Sequence, residues 1–114
     1  MHEMSLALSI VEQTLLAARK EGAIRVVEVE IEIGRLAGVM SESLRFCLEA
    51  VGPAGGLPDT VFRLVEVGGE GGCRACTAAF TADSFFAKCP VCGSDETVIN
   101  GGQGLKIRSL IIED

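Results

Sequence analysis

A chain of 114 residues is long enough for one domain, or for one small domain carrying a smaller insert. With 48% apolar and 23% charged residues it should fold rather than stay disordered. A net charge of −6 argues against nucleic acid or an anionic membrane as partner, because either would call for a basic face.

The single histidine is the second residue. A terminal amine on Met1, the backbone nitrogens of His2 and Glu3, and the His2 imidazole can converge on one ion. A nitrogen-rich, nearly planar donor set suits Ni(II) or Cu(II) better than zinc or magnesium. Histidines at chain ends are also commonly idle, so the rest of the chain has to decide between the two readings. Nothing near the start looks like a targeting segment, since there is no basic stretch and Glu12 and Gln13 break the apolar run. No apolar stretch is long enough to span a bilayer.

Residues 4–20 predict an amphipathic helix. Met4, Leu8, Val11, Leu15 and Ala18 recur at helical spacing, and Leu6, Ala7 and Ile10 widen the stripe. Glu3 near the start and Arg19 and Lys20 near the end suit the helix dipole, and Gly22 is a natural stop. From residue 24 to 33 the period becomes two: Val27, Val29, Ile31 and Ile33 alternate with Glu28, Glu30 and Glu32. That predicts a half-buried strand with one acidic, solvated face. Residues 34–38 form a turn. Ser41 is the expected cap of a second helix, with Leu44, Cys47, Leu48 and Val51 as its apolar stripe and Gly52-Pro53 as its end. Cys47 reads as a small core residue. After a loop, residues 60–67 predict a second strand. The run Gly68-Gly69-Glu70-Gly71-Gly72 reads as a flexible hinge. A second glycine-rich stretch, 101–104, precedes a third strand over 105–112, whose Lys106 and Arg108 could face the glutamates of the first strand. The strands before and after the two glycine runs are expected to be neighbours in one sheet.

Between the glycine runs lie Cys73-x-x-Cys76 and Cys89-x-x-Cys92. Two such knuckles place four thiolates around one zinc, and a closed four-thiolate shell is structural rather than catalytic. Paired C-x-x-C motifs fit a reducing cytosol better than a secreted disulfide framework. Phe80, Phe85 and Phe86 are expected to form the small core of this module. The resulting fold class is α+β: a small mixed three-stranded sheet with two helices, plus an inserted four-cysteine zinc-ribbon-like module. The expected division is residues 1–68 and 104–114 against 69–103.

Several strings resemble the HypA/HybF hydrogenase maturation proteins, which are nickel metallochaperones. They are Met1-His2-Glu3-Met4-Ser5-Leu6, Glu32-Ile33-Gly34, Leu36-Ala37-Gly38-Val39, Leu44-Arg45-Phe46, the paired knuckles with Cys89-Pro90 and Cys92-Gly93-Ser94, and Leu105-Lys106-Ile107-Arg108-Ser109-Leu110. They run in the right order over nearly the whole chain. The resemblance implies nickel held as transferred cargo at Met1, His2 and Glu3, and structural zinc held by Cys73, Cys76, Cys89 and Cys92. It also implies delivery to the large subunit of [NiFe]-hydrogenase in concert with a nickel-handling GTPase. Glu3 could act through its amide nitrogen, its carboxylate or a supporting contact. The competing classes are a zinc-ribbon adaptor for protein–protein interaction, which the acidic charge disfavours as a nucleic-acid binder, and a metalloenzyme. The latter is disfavoured because there is no second histidine, no placed carboxylate pair and no open zinc position. A cytoplasmic, non-enzymatic protein is expected.

Overall fold

The computed structural model describes residues 2–114. In chain order the elements are α1 (His2–Lys20), β1 (Arg25–Gly34), α2 (Ser41–Val51), β2 (Val61–Val67), β3 (Gly69–Cys73), β4 (Ala79–Ala82), β5 (Thr97–Gly101) and β6 (Leu105–Glu113). They form two three-stranded sheets, ordered β2-β1-β6 and β4-β3-β5. The chain groups into two compact units. One comprises Met1–Glu32, Val39–Val65 and Lys106–Asp114; the other comprises Ile33–Gly38 and Glu66–Leu105.

β1 is the centre of the first sheet, and its alternation explains why. Val29 and Ile31 are fully buried and Ile33 nearly so. On the opposite face Glu28, Glu30 and Glu32 keep only 23, 19 and 26% of their side-chain surface. They are not simply solvated. Arg63 of β2 lies 3.6 Å from Glu28 and 3.3 Å from Glu30. From β6, Lys106 lies 3.7 Å from Glu32, and Arg108 lies 3.6 Å from Glu30. The pairing of Lys106 and Arg108 with these glutamates agrees with the reading of the sequence. The expected adjacency of β2 and β6 does not hold, because β1 lies between them. The acidic face of β1 collects cations from both flanks, whereas direct β2–β6 pairing would leave those cations without carboxylates between them.

The sheet is mixed. The Thr60 hydroxyl donates to Val26 O at one end of the β1–β2 pair, and Arg35 N–H donates to Val67 O at the other, so the two strands run parallel and α2 is their crossover. Ile24 N–H donates to Glu113 O and Gly34 N–H to Gly104 O, so β1 and β6 run antiparallel.

α1 starts at His2, two residues earlier than its apolar periodicity predicts. Its buried face holds Glu3, Ala7, Ile10, Val11, Thr14 and Ala18, while Leu8 and Leu16 are about half exposed. Two polar side chains therefore sit on the face that packs inward. α2 packs on α1 and buries Leu44, Cys47 and Leu48, so Cys47 is the core residue the sequence suggests. Ser41 is not its cap. Met40 holds that position in an extended conformation and offers no side-chain cap bond. The Arg45 guanidinium donates to Phe62 O at 2.8 Å, tying α2 to β2.

In the second unit the tract read as a hinge is a strand. β3 lies at the centre of its sheet, pairing antiparallel with β4 (Gly69↔Ala82, Gly71↔Phe80) and with β5 (Gly71↔Ile99, Cys73↔Thr97). Glycine is needed here for closeness rather than flexibility: a Cβ on Gly69 would collide with the Leu36 side chain and the Ala82 carbonyl. The Phe80 ring fills the space over Gly71. Phe85 and Phe86 are 53 and 92% exposed and so do not form the expected small core. They ride on a turn closed by Phe86 N–H donating to Ser84 Oγ.

Gly69→Ala should therefore destabilise the protein by about 1–3 kcal/mol, the usual range for overpacking. Gly104→Ala, where an added Cβ meets open space, should change stability by less than ~1 kcal/mol. Urea denaturation of both variants checks this pair.

Candidate metal centres

The first centre lies at the start of α1. Met1 lies outside the described residues, so the structure places only His2 and Glu3 of the expected set. In any helix the first N–H groups lack an acceptor one turn back, so those of His2 and Glu3 are not used by the α1 ladder. The His2 side chain is 61% exposed, and its Nδ1 lies 3.7 Å from Glu3 Oε2. Glu3 is buried, at 7% exposure. Its carboxylate accepts the Met40 N–H at 3.4 Å, at the beginning of α2. A carboxylate at the positive end of a helix stands in for the missing side-chain cap. Glu3 thus links the exposed imidazole to the second helix. The Met40 N–H, its own backbone N–H and the neighbouring His2 hold its pKa below the ordinary 4.5, against the opposing effect of burial.

The second centre is closed. The four sulfurs of Cys73, Cys76, Cys89 and Cys92 all lie within 4.8 Å of one another. Cys73 and Cys92 Sγ are 3.6 Å apart, and Cys76 and Cys89 Sγ 3.5 Å. A tetrahedron of ~2.3 Å metal–sulfur bonds has edges of about 3.8 Å, so the cluster fits one tetrahedral ion.

The two knuckles repeat one backbone design. Cys73 N–H donates to Ala78 O and Cys89 N–H to Ser94 O; Thr77 N–H returns to Cys73 O and Gly93 N–H to Cys89 O. Within each turn, Cys76 N–H donates to Cys73 Sγ, and the Val91 and Cys92 N–H groups donate to Cys89 Sγ. The Cys92 and Val91 N–H groups favour the thiolate and draw Cys89 down to about 6. Cys76 is pushed up to about 12: the Ala78 N–H favours its thiolate, but contact with Cys89 and burial outweigh that. A cation entering the cluster displaces thiol protons as it binds. The residue after each second cysteine is left-handed: Gly93 at φ 74° and Thr77 at φ 65°. Glycine adopts this freely, but a β-branched residue is strained there. No other group of three or more histidine, cysteine or acidic side chains converges on a common ion position among the described residues.

A sequence model of the family described as "Hydrogenase/urease nickel incorporation, metallochaperone, hypA" matches residues 1–112. A hydrogenase maturation factor HypA of Chlorobium luteolum is 41% identical over 114 residues, covering 100% of this chain and 97% of its own. One from Chlorobaculum tepidum is 42% identical over 113 residues, covering 99% of this chain and 100% of its own. Among solved structures, the Ni metallochaperone HypA from Helicobacter pylori superimposes with a TM-score of 0.71 at 20% identity, over 97% of each chain. A second HypA solution structure gives 0.72 at 23% identity, over 98% of this chain and 96% of its own. At these identities the structural matches speak for the fold alone.

Two outcomes follow from the geometry. Thr77→Gly should stabilise the protein by about 1 kcal/mol, by releasing left-handed strain at a β-branched residue; thermal denaturation with metal bound measures it. Glu3→Gln should lower the melting temperature at neutral pH. The folded pKa of Glu3 is depressed, so its contribution is present above the ordinary carboxylate range and lost as pH falls through the folded value. Wild-type and variant melting temperatures should therefore converge as the pH is lowered past the ordinary carboxyl value of 4.5 and through the depressed folded value.

Proposed function

The chain belongs to the HypA family of nickel-incorporation metallochaperones, and from that premise we propose that it takes Ni(II) at its N-terminus and hands it to the large subunit of [NiFe]-hydrogenase. A nickel-handling GTPase is the proposed companion in the transfer, and the cytoplasm the proposed location. No described helix is long and apolar enough to cross a membrane. The proposed division of labour places nickel on residues 1–68 and 104–114 and zinc on residues 69–103.

The match over residues 1–112, with His2 opening α1, carries this reading. Nickel is the cargo. The Met1 amine and His2 amide nitrogen close a five-membered chelate ring, and the His2 amide with Nδ1 closes a six-membered one. Nδ1 rather than Nε2 is the imidazole nitrogen that the short linkage can reach. Glu3 joins the site through its carboxylate, already 3.7 Å from that nitrogen. Its grip on α2 holds the start of the helix in place while an ion exchanges. Binding must displace protons from amine and amide, so affinity should rise with pH. An exposed imidazole on a chain end suits release as much as capture.

The four cysteines are proposed to hold zinc as a structural ion. Zinc held by these four sulfurs would cross-link the two turns and would contribute on the order of 10 kcal/mol to folding of a small module. The chain's own part is to present four sulfurs on two matched turns. A zinc-ribbon adaptor is the second reading, favoured by the exposure of Phe85 and Phe86.

Nickel titration of the untagged protein tests the main reading. His2→Ala should weaken binding by more than about 100-fold, beyond what loss of a supporting contact causes. N-terminal acetylation, which removes the amine, should do the same. Both forms should keep one tightly held zinc per chain. Unchanged nickel affinity and absorption spectrum in His2→Ala would remove the terminal site.

A further inference from the structure

The four sulfurs of the closed centre are not equally protected. Cys73 and Cys89 are buried, at 5 and 2% exposure, Cys76 is half-buried and Cys92 is exposed. Pro90, Val91 and Gly93 beside Cys92 are exposed as well. A reagent from solvent therefore meets the Cys92 thiol first, and thiol oxidation follows access. The net charge of −6 disfavours anionic oxidants, which leaves small neutral hydroperoxides as the fitting class.

The partner of Cys92 is set by the packing of the two turns. Its sulfur lies 3.6 Å from that of Cys73, in the other knuckle, and Cys76 and Cys89 lie 3.5 Å apart, again across the knuckles. Closing the first pair to a disulfide of about 2.05 Å takes a relative sulfur movement of roughly 1.5 Å, within reach of side-chain rotation. The alternative partner in its own knuckle is Cys89, whose sulfur accepts both the Val91 and the Cys92 N–H groups. The Cys73 sulfur accepts the Cys76 N–H. Hydrogen bonds to sulfur draw electron density from it and blunt its attack, so Cys73 is the freer nucleophile of the two.

We propose that Cys92 is a peroxide-reactive thiol whose oxidation closes a Cys73–Cys92 disulfide across the knuckles, expelling the metal while keeping the two turns joined. The Cys92 sulfur attacks one peroxide oxygen: an S–O bond forms, the O–O bond breaks, and hydroxide takes a proton and leaves as water. The Cys73 sulfur then attacks the Cys92 sulfur: an S–S bond forms, the S–O bond breaks, and a second hydroxide leaves as water in the same way. Two electrons pass from the sulfur pair to the peroxide, and the metal ion keeps its charge. Only Cys76 and Cys89 then remain as ligands, too few for a closed four-thiolate site. The disulfide spans the same two turns that zinc would join, so the module stays closed and a dithiol restores the site. A disulfide within either knuckle would leave the turns unlinked. The ion released is zinc on the reading proposed above; the disulfide itself follows from the placement of the sulfurs.

Metal analysis of the full untagged chain under reducing conditions should first find one zinc per chain, which tests the zinc reading by itself. Hydrogen peroxide should then release that zinc to a colorimetric indicator. Mass spectrometry of non-reduced digests should find Cys73–Cys92 as the first disulfide, and dithiothreitol with added zinc should return the metal. Were no zinc found, the same mapping on the metal-free chain would still test the disulfide. Cys92→His keeps a fourth donor for zinc but removes the exposed thiol, and should slow release about tenfold or more. Cys47→Ala, which removes the isolated buried thiol, should release zinc as the wild type does. The disulfide is mapped on the wild-type chain, so that outcome does not depend on a variant holding zinc. A first disulfide at Cys89–Cys92 or Cys76–Cys89, oxidation without zinc release, oxidation that a dithiol does not reverse, or release from Cys92→His at the wild-type rate would each overturn the proposal.

Discussion

The first sheet depends on the double demand made by β1. One face of the strand is Val29, Ile31 and Ile33, and must be dry. The other is Glu28, Glu30 and Glu32, and must be neutralised if it is to be even partly covered. A strand with both demands cannot lie at an edge, because an edge supplies a neighbour on one side only. Placing β1 in the middle satisfies both, with Arg63 on one side and Lys106 and Arg108 on the other. Each pair is worth only about 0–1 kcal/mol, since the cations are half exposed. Their value lies in specificity: they set strand order and register, while burial of the aliphatic face supplies stability. The parallel β1–β2 pair then requires a crossover, and α2 is that crossover. The start of α2 in turn gives Glu3 its acceptor role.

The second unit obeys a different constraint, which is closeness. A small module has little apolar volume, and here backbones approach so nearly that side chains cannot fit between them. Gly69 against Leu36 and Ala82 shows this, and the Phe80 ring over Gly71 uses the vacated space. The knuckles follow the same economy of space, with N–H groups directed at sulfur in both turns. Sheet and cluster are continuous in sequence, because Cys73 is at once the last residue of β3 and a member of the cluster.

The legible parts of the sequence were those where periodicity or spacing is the cause of the structure. The α1 and α2 segments, the alternation of β1, the cation–glutamate pairing and the four-cysteine cluster are of this kind. The illegible parts were those where a residue has two opposed uses. Glycine runs serve flexible linkers and tightly packed strands alike, and only the opposing side chains decide, so β3 was hidden in a tract that reads as a hinge. Phe85 and Phe86 look like core by composition, yet they are exposed, and the ring lying over Gly71 is that of Phe80. Glu3 reads as a dipole-compensating residue on its own helix; in the folded chain it also serves the start of α2, a partner 37 residues away that no local pattern encodes. Strand order failed for a related reason: insertion of a module between two strands brings them into one sheet but does not make them adjacent.

The two metal centres differ in a way that follows from their backbones. The cysteine cluster offers only side-chain ligands, and two matched turns position those side chains, with N–H groups directed at sulfur. Nothing in that arrangement invites an ion to leave. The terminal centre, on the reading proposed above, draws its nitrogens largely from the backbone at the one place in a helix where N–H groups lack acceptors. Among the described residues, Glu3 braces it, with its carboxylate 3.7 Å from the His2 Nδ1 and accepting the Met40 N–H. A donor set anchored at a single carboxylate, with its imidazole mostly in solvent, has few contacts to break when another protein competes for the ion. On that reading the two centres would differ in how readily they release an ion, because the cysteines are set on two matched turns and the terminal imidazole on one neighbouring carboxylate.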